Sequence, residues 1–312
     1  MKKLKATYIH CAKILGIVLL ILLIAGSVFD LPISKFMYPG HESSFGQFFA
    51  AFGKLPAFTA LSCAGVLLFT IRGRIRRNLQ WLALLGSAVL TVVAPCLAAL
   101  ESVDAVPAMP LWVALLVSVF VAVICDWAII AVSRGCPTKT ILRFVGAIIF
   151  SVVATLLAVD FIKHFWARPR MRFFALTGNQ GYFQNWWTPG SALKTRLTAE
   201  GVAEEEFQSF PSGHASSAAC AMLLLLVPTL GKSVRGKETA FLWLGAAWTL
   251  LVAFARIIMG AHFLTDVTIA CIIQFVLSII GIKLFYFSGK FFRWFWNLVT
   301  EPQKNSQSFE AE

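Results

Sequence analysis

Lys163, Arg168 and Arg170 stand at the end of one apolar run, Pro211-Ser212-Gly213-His214 open another, and Arg256, His262 and Asp266 lie in "ARIIMGAHFLTDV" between two more. An ionisable side chain at membrane depth costs roughly 2.5–3.5 kcal/mol even on the lenient insertion scale, so such groups mark functional sites. Several cations, a hydroxyl, a glycine N–H and two histidines together suit phosphoryl transfer, whose transition state spreads negative charge over equatorial oxygens. Arginine meets phosphate as a planar fork and lysine as a point charge. N–H groups at a helix start, here after Ser212-Gly213, favour an anion. One histidine can attack phosphorus while the other protonates the leaving oxygen, a role worth about 10²–10⁴-fold. His262 and Asp266 are four residues apart, which on a helix places them on one face, where the carboxylate can fix the ring tautomer. Gly260 permits the reversal that joins the flanking spans.

These residues need a membrane scaffold. Of the 312 residues, 58% are hydrophobic and 13% charged, too apolar for a soluble domain of this length. Apolar runs near the roughly 20 residues that span hydrocarbon fall at about 12–29, 52–71, 79–99, 110–133, 141–162, 215–230, 239–258 and 264–286. The reading is an all-α polytopic bundle of about eight spans; no alternating strands suggest a barrel. Pro95 interrupts the third run and Pro228 the sixth. "IAGSVFD" gives the first run a signal-peptide flavour, but the run is long for one and is read as a span.

Basic connections stay in the cytoplasm. The amino terminus, Arg72 to Arg77, Arg134 to Arg143, Lys232 to Lys237 and Lys283 to Arg293 alternate with connections carrying Asp30 and Glu42, or Glu101 and Asp104. Both termini are therefore expected inside, with Lys163, His214, Arg256 and His262 meeting at the external surface. Topology absorbs much of the +12 net charge, and no nucleic-acid stripe remains. The lysine-rich start and compact loops suggest a bacterial inner membrane with the site facing outward. The seven cysteines include no C-x-x-C pair and read as free thiols. Three regions are expected: N-terminal helices over 1–135, a core over 136–290 whose external loop 163–213 forms a partly ordered cap, and an interfacial segment with a loose tail after Glu301 over 291–312. Trp186-Trp187 favour anchoring that cap at the lipid–water boundary.

"KHFWARPR", "PSGH" and "RIIMGAH" resemble, in order and spacing, the three-part signature of the type-2 phosphatidic acid phosphatase superfamily, which includes lipid phosphate phosphatases and vanadium haloperoxidases. The parts read K-x6-R-P, P-S-G-H and S-R-x5-H-x3-D. Lys163 and Arg170 keep the first interval; Arg256, His262 and Asp266 keep both intervals of the third. Met171 replaces the usual proline and Ala255 the usual serine, and Arg168 is left as an auxiliary cation. The resemblance implies a core of about six helices, with His262 as a nucleophile forming phosphohistidine and Asp266 holding its ring. It makes His214 the general acid and later base. Lys163, Arg170, Arg256, Ser212 and the Gly213 amide would bind phosphoryl oxygens, with no cofactor and no metal.

The expected activity is removal of a terminal phosphate from a lipid: phosphatidic acid, phosphatidylglycerol phosphate, an isoprenoid diphosphate or a glycolipid phosphate. A lipid phosphotransferase would share the site, and a lipid or anion transporter would use its cations alone. Other polar residues read as structural. His10, His41 and His164 are interfacial; Asp160 lies one turn before Lys163 and pairs with it; Asp126 has no evident partner. Glu204 to Glu206 form a solvated face, and Arg168 and Arg172 are evenly divided between a part in the site and mere contact with lipid headgroups or the cap.

Overall fold

The computed structural model describes residues 2–40 and 43–300, so the expectations for His41, Glu42 and the tail after Glu301 lie outside the described residues. Those residues form helices and connections without strands, as an all-α polytopic bundle requires. Seven helical segments are long and apolar enough to cross a membrane: Lys5–Met37, Ser44–Arg74, Arg77–Ala105, Leu111–Ser133, Thr138–Ala175, Glu238–Ile258 and Leu264–Phe287.

The expected eighth span is shorter, covering Gly213–Thr229. It begins as an α-helix over Gly213–Ala219 and continues as a 3₁₀-helix over Cys220–Thr229 that contains Pro228. The 3₁₀ form rises about 2.0 Å per residue against 1.5 Å for the α form, so the segment reaches roughly 30 Å, near the thickness of hydrocarbon. Stretching the helix recovers the length that its residue count lacks.

Punctuation by proline and glycine sets the other elements. Helix α1 is Lys2–Met37. The next rod is broken at Gly53-Lys54 into α2 (Ser44–Phe52) and α3 (Leu55–Ile71), with a proline at the start of α3. The third consists of α4 (Gln80–Ala88), a π-helical turn at Val89–Val93 and α5 (Ala94–Ala105). Pro95 cannot donate to the preceding turn, and the wider π turn accommodates that loss without ending the rod. Then come α6 (Leu111–Ser133) and α7 (Thr138–Trp166), each opened by a preceding proline.

The connection over 163–213 is an ordered, packed cap. It contains α8 (Met171–Thr177) and α9 (Ser191–Ala199), and Met171, Phe173, Phe174, Leu197 and Phe207 pack with Phe263 into a small apolar core. Trp186 anchors the cap to α1 by donating to Ser27 Oγ at 2.9 Å, while Trp187 remains exposed.

Helix α10 (Gly213–Ala219) sits at the centre against α3, α7, α11 (Glu238–Ile258) and α12 (Leu264–Ile282). At the far end, α13 (Gly289–Val299) closes the bundle. Arg76 ties it down by donating to the carbonyls of Asn297 and Thr300, and Arg74 donates to Thr138 Oγ1. The connections holding Arg74, Arg76 and Thr138 thus share one end. The ends of α1, α7 and α11 and the starts of α10 and α12 gather at the other.

Candidate active site

Three separated segments are stitched together by backbone hydrogen bonds. Helix α7 stops at Ala167, which takes left-handed backbone angles (φ 52°, ψ 41°) at a cost of about 1–2 kcal/mol for a residue with a Cβ. The turn releases Arg168 to Arg172. Ser209 N then donates to Arg168 O at 3.0 Å, Arg170 N to Glu206 O at 2.8 Å, Arg172 N to Gly260 O at 2.8 Å and Ser212 N to Asp266 O at 3.2 Å. Gly260, at φ 62°, makes the reversal after α11, and Ala261 N and His262 N both return to Arg256 O. All three motif segments therefore meet at one end of the bundle.

His262 is 1% exposed and its Nδ1 lies 2.5 Å from the carbonyl oxygen of Ser209. A carbonyl only accepts, so Nδ1 bears the proton and the neutral ring keeps its lone pair on Nε2. Burial first, then Arg256, Lys163 and Arg170, hold its proton affinity well below the ordinary imidazole value of 6.5. The ring is a neutral base surrounded by positive charge.

Asp266 does not hold the ring directly, contrary to the expectation from spacing. Helix α12 begins at Leu264, so His262 precedes it and the four-residue rule for a shared face does not apply. Asp266 occupies the first turn and accepts from Phe263 N at 2.8 Å, Ser209 Oγ at 2.5 Å and Arg168 Nη1 at 2.5 Å. It fixes Ser209, and Ser209 fixes the imidazole.

The cations form two groups. Arg256 is 7% exposed, and among the described residues its guanidinium has no hydrogen-bond partner; its Nε is buried. Lys163 also has no hydrogen bond or ion pair among the described residues, and its Nζ lies 3.7 Å from where a Cβ on Gly213 would sit. The expected Asp160–Lys163 pair is absent: both line a polar cavity of about 110 Å³, but no N–O distance between them falls within 4 Å. One helical turn brings the residues near without making their ends meet. Arg170 is buried, with Nη1 on Glu205 at 2.5 Å and Nε unpartnered.

His214 Nε2 donates to the carbonyl oxygen of Ala50 at 2.8 Å, since a carbonyl only accepts, and so bears a proton. Arg256, Lys54 and His262 all lie within electrostatic range of it. Ser212 Oγ caps α10 by accepting from Ala215 N, which leaves its hydroxyl proton for another acceptor. Both residues that depart from the resemblance fit their local structure. Met171 starts α8, a position that suits proline equally well, and Ala255 is wholly buried among Phe49, Ala218 and Val252.

Arg168, expected as an auxiliary cation, is engaged within the protein. It is 0% exposed, with Nη2 on Asp30 at 3.0 Å, Nη1 on Thr265 Oγ1 and Asp266, and Nε on Gln184 O; its plane lies over Phe263 at 4.3 Å. Every face of the guanidinium is used. The acidic run keeps a solvated face at Glu204 and Glu205, while Glu206 is half-buried, and its carboxylates are paired: Glu204 with Lys194, Glu205 and Glu206 with Arg172. Arg170 and Arg172 on the facing segment supply the charge that draws these acids in. Asp126 accepts from Ser62 Oγ at 2.7 Å across the α3–α6 contact. The seven cysteines are free.

Sequence reasoning missed Asp30, Ser209 and Lys54. Asp30 served only as a topology marker, although it falls seven residues before the end of α1 and its burial calls for a partner. Lys54 sits at the α2–α3 break, one turn beyond Ala50, and pairs with Glu101. Ser209 carries no signal beyond its nearness to Ser212. Among the described residues, no three His, Cys, Asp or Glu side chains gather as a metal site.

Residues 144–290 match the family model described as the PAP2 superfamily. No curated protein and no solved structure matches the chain.

Proposed function

We propose, from the membership of residues 144–290 in the PAP2 superfamily, that this membrane protein is a phosphatase acting on lipid phosphate esters through a histidine-bound intermediate. Membership supports phosphatase action on phosphate esters, and the apolar helices support a membrane setting. The observation that carries the finer reading is the neutral His262 ring, proton on Nδ1, facing Arg256 and Lys163, two cations without partners among the described residues.

In this reading the phosphoryl oxygens take up the vacant donors of Arg256 and Lys163, together with Ser212 Oγ and the Gly213 amide. Arg170 joins them through its unpartnered Nε. Fixed cations aimed at developing charge stabilise the transition state without reorganisation. His262 Nε2 forms the N–P bond as the P–O ester bond breaks, and His214 protonates the departing lipid alkoxide. The dianion bound beside His214 favours its charged form and so primes it as an acid. Water then attacks the phosphohistidine, His214 accepts its proton, and inorganic phosphate leaves. Charge neutralisation falls to side chains, so the reaction is metal-independent.

The site would face the external side of a cell membrane, with both termini inside, because the basic connections cluster at the opposite end of the bundle. The test is phosphate release by purified protein in detergent, with chelator present, against a panel of lipid phosphates and diphosphates. Free phosphate without an added acceptor, abolished in His262→Ala, is expected. Wild-type rates in His262→Ala would overturn the mechanism, and release only upon adding a lipid acceptor would make the protein a transferase.

A further inference from the structure

Asp30 lies on α1, far outside residues 144–290, yet its carboxylate reaches the base of the proposed site. Oδ1 accepts from Thr265 N at 2.9 Å, and Oδ2 accepts from Arg168 Nη2 at 3.0 Å and from Thr265 Oγ1. Thr265 N belongs to the first turn of α12, where N–H groups have no partner within the helix. A residue from another helix thus caps α12. Gly26 makes the approach possible: a Cβ there would lie 2.8 Å from Thr265 Cγ2 and 3.2 Å from both Thr265 N and Asp30 Oδ1.

From Asp30 a continuous chain of short contacts runs to the imidazole. Arg168 joins Asp30 to Asp266, Asp266 accepts from Ser209 Oγ, and the Ser209 carbonyl accepts from His262 Nδ1. Asp30 is 4% exposed, and Arg168, Asp266 and Ser209 are all 0% exposed, so water cannot replace a lost member. Both carboxylates also sit at the positive end of α12, and Arg168 offsets the repulsion between them. Each group has its hydrogen bonds made, which gives the network one geometry.

Resting on the phosphatase reading, we propose that Asp30 is a positioning residue of this site. By holding Arg168 and the start of α12 it fixes Asp266 and Ser209, and through them the aim of His262 Nε2. The first helix is then part of the catalytic apparatus rather than an added membrane anchor. Asp30 touches no substrate.

Asp30→Asn keeps an oxygen for Thr265 but removes the charge facing Arg168. In steady-state hydrolysis of a lipid phosphate accepted by the wild type, kcat is expected to fall about 10- to 100-fold, with KM within about threefold. Misaiming a reacting atom weakens the transition state more than ground-state binding. Thr265→Val, which removes one donor to Asp30 and keeps the carboxylate, is expected to lower kcat in the same direction by a smaller factor. A well-folded Asp30→Asn with kcat within twofold of wild type overturns the proposal, as does a loss that tracks only the folded fraction. Misfolding of both variants would assign the network to stability alone and overturn it as well. An inactive wild type across the whole lipid panel would instead sink the phosphatase reading, so the two failures are distinguishable.

Discussion

The imidazole of His262 donates its Nδ1 proton to the carbonyl oxygen of Ser209, 2.5 Å away, and so keeps the Nε2 lone pair free. Nitrogen-15 spectra of the protein labelled at histidine are expected to show the His262 ring as the neutral Nδ1–H tautomer at pH 6.5, where an unperturbed imidazole is half protonated. A charged ring or the Nε2–H tautomer at that pH would contradict the assignment.

The same depressed proton affinity has a stability consequence. Burial, then Arg256, Lys163 and Arg170, push His262 down from 6.5, so below about 6.5 the unfolded chain binds a proton that the folded one refuses. Its contribution is complete above about 6.5 and declines as pH falls toward the folded value. Thermal unfolding in detergent is expected to occur at progressively lower temperature on acidification below 6.5. In His262→Gln that part of the pH dependence should be lost.

Arg256 contributes a buried guanidinium with no partner among the described residues. Arg256→Ala should lower kcat/KM by about 10²–10³-fold, the usual cost of one donor aimed at developing charge. Arg256→Lys should recover only part, because an ammonium lacks the planar fork. Equal rates for Lys and Arg would argue that only charge matters.

Removing Arg168 leaves Asp30 and Asp266 buried together without their shared cation. Arg168→Ala is expected to destabilise the protein by about 3–5 kcal/mol, the range for breaking a buried pair by deleting one partner. Chemical denaturation in mixed micelles measures it. A change under 1 kcal/mol would show that the pair is not held as described.

Glu205 is 64% exposed at its side chain and sits on Arg170, the cation that the proposed mechanism lends to phosphate. Burial pushes its proton affinity up, but Arg170 and Arg172 outweigh that and hold it below the usual carboxylate range, so it is anionic at neutral pH. Glu205→Gln removes a like charge near the incoming phosphate, worth about 1 kcal/mol in bulk-water terms, or roughly a fivefold fall in KM. An unchanged or higher KM would mean that Glu205 orients Arg170 instead of competing for it.

Composition and order alone determined that this is a helical membrane protein and which segments carry the motif. Apolar runs of bilayer length do not depend on their neighbours, and motif intervals are local, so Lys163, His214, Arg256 and His262 were legible without coordinates. Contacts between distant segments were not. The sequence interval from His262 to Asp266 suggested a shared helix face, yet the helix begins at Leu264, after His262, and Ser209 takes the ring instead. Arg168 and Arg170 are chemically alike, two residues apart and both buried, but Asp30, Thr265, Asp266 and Gln184 take up the donors of one, while the other keeps an unpartnered Nε. Asp30 acquires its role only because Gly26 lets α1 approach α12. Charge partners in a low-dielectric interior are chosen by three-dimensional proximity and desolvation, which no spacing along one chain encodes.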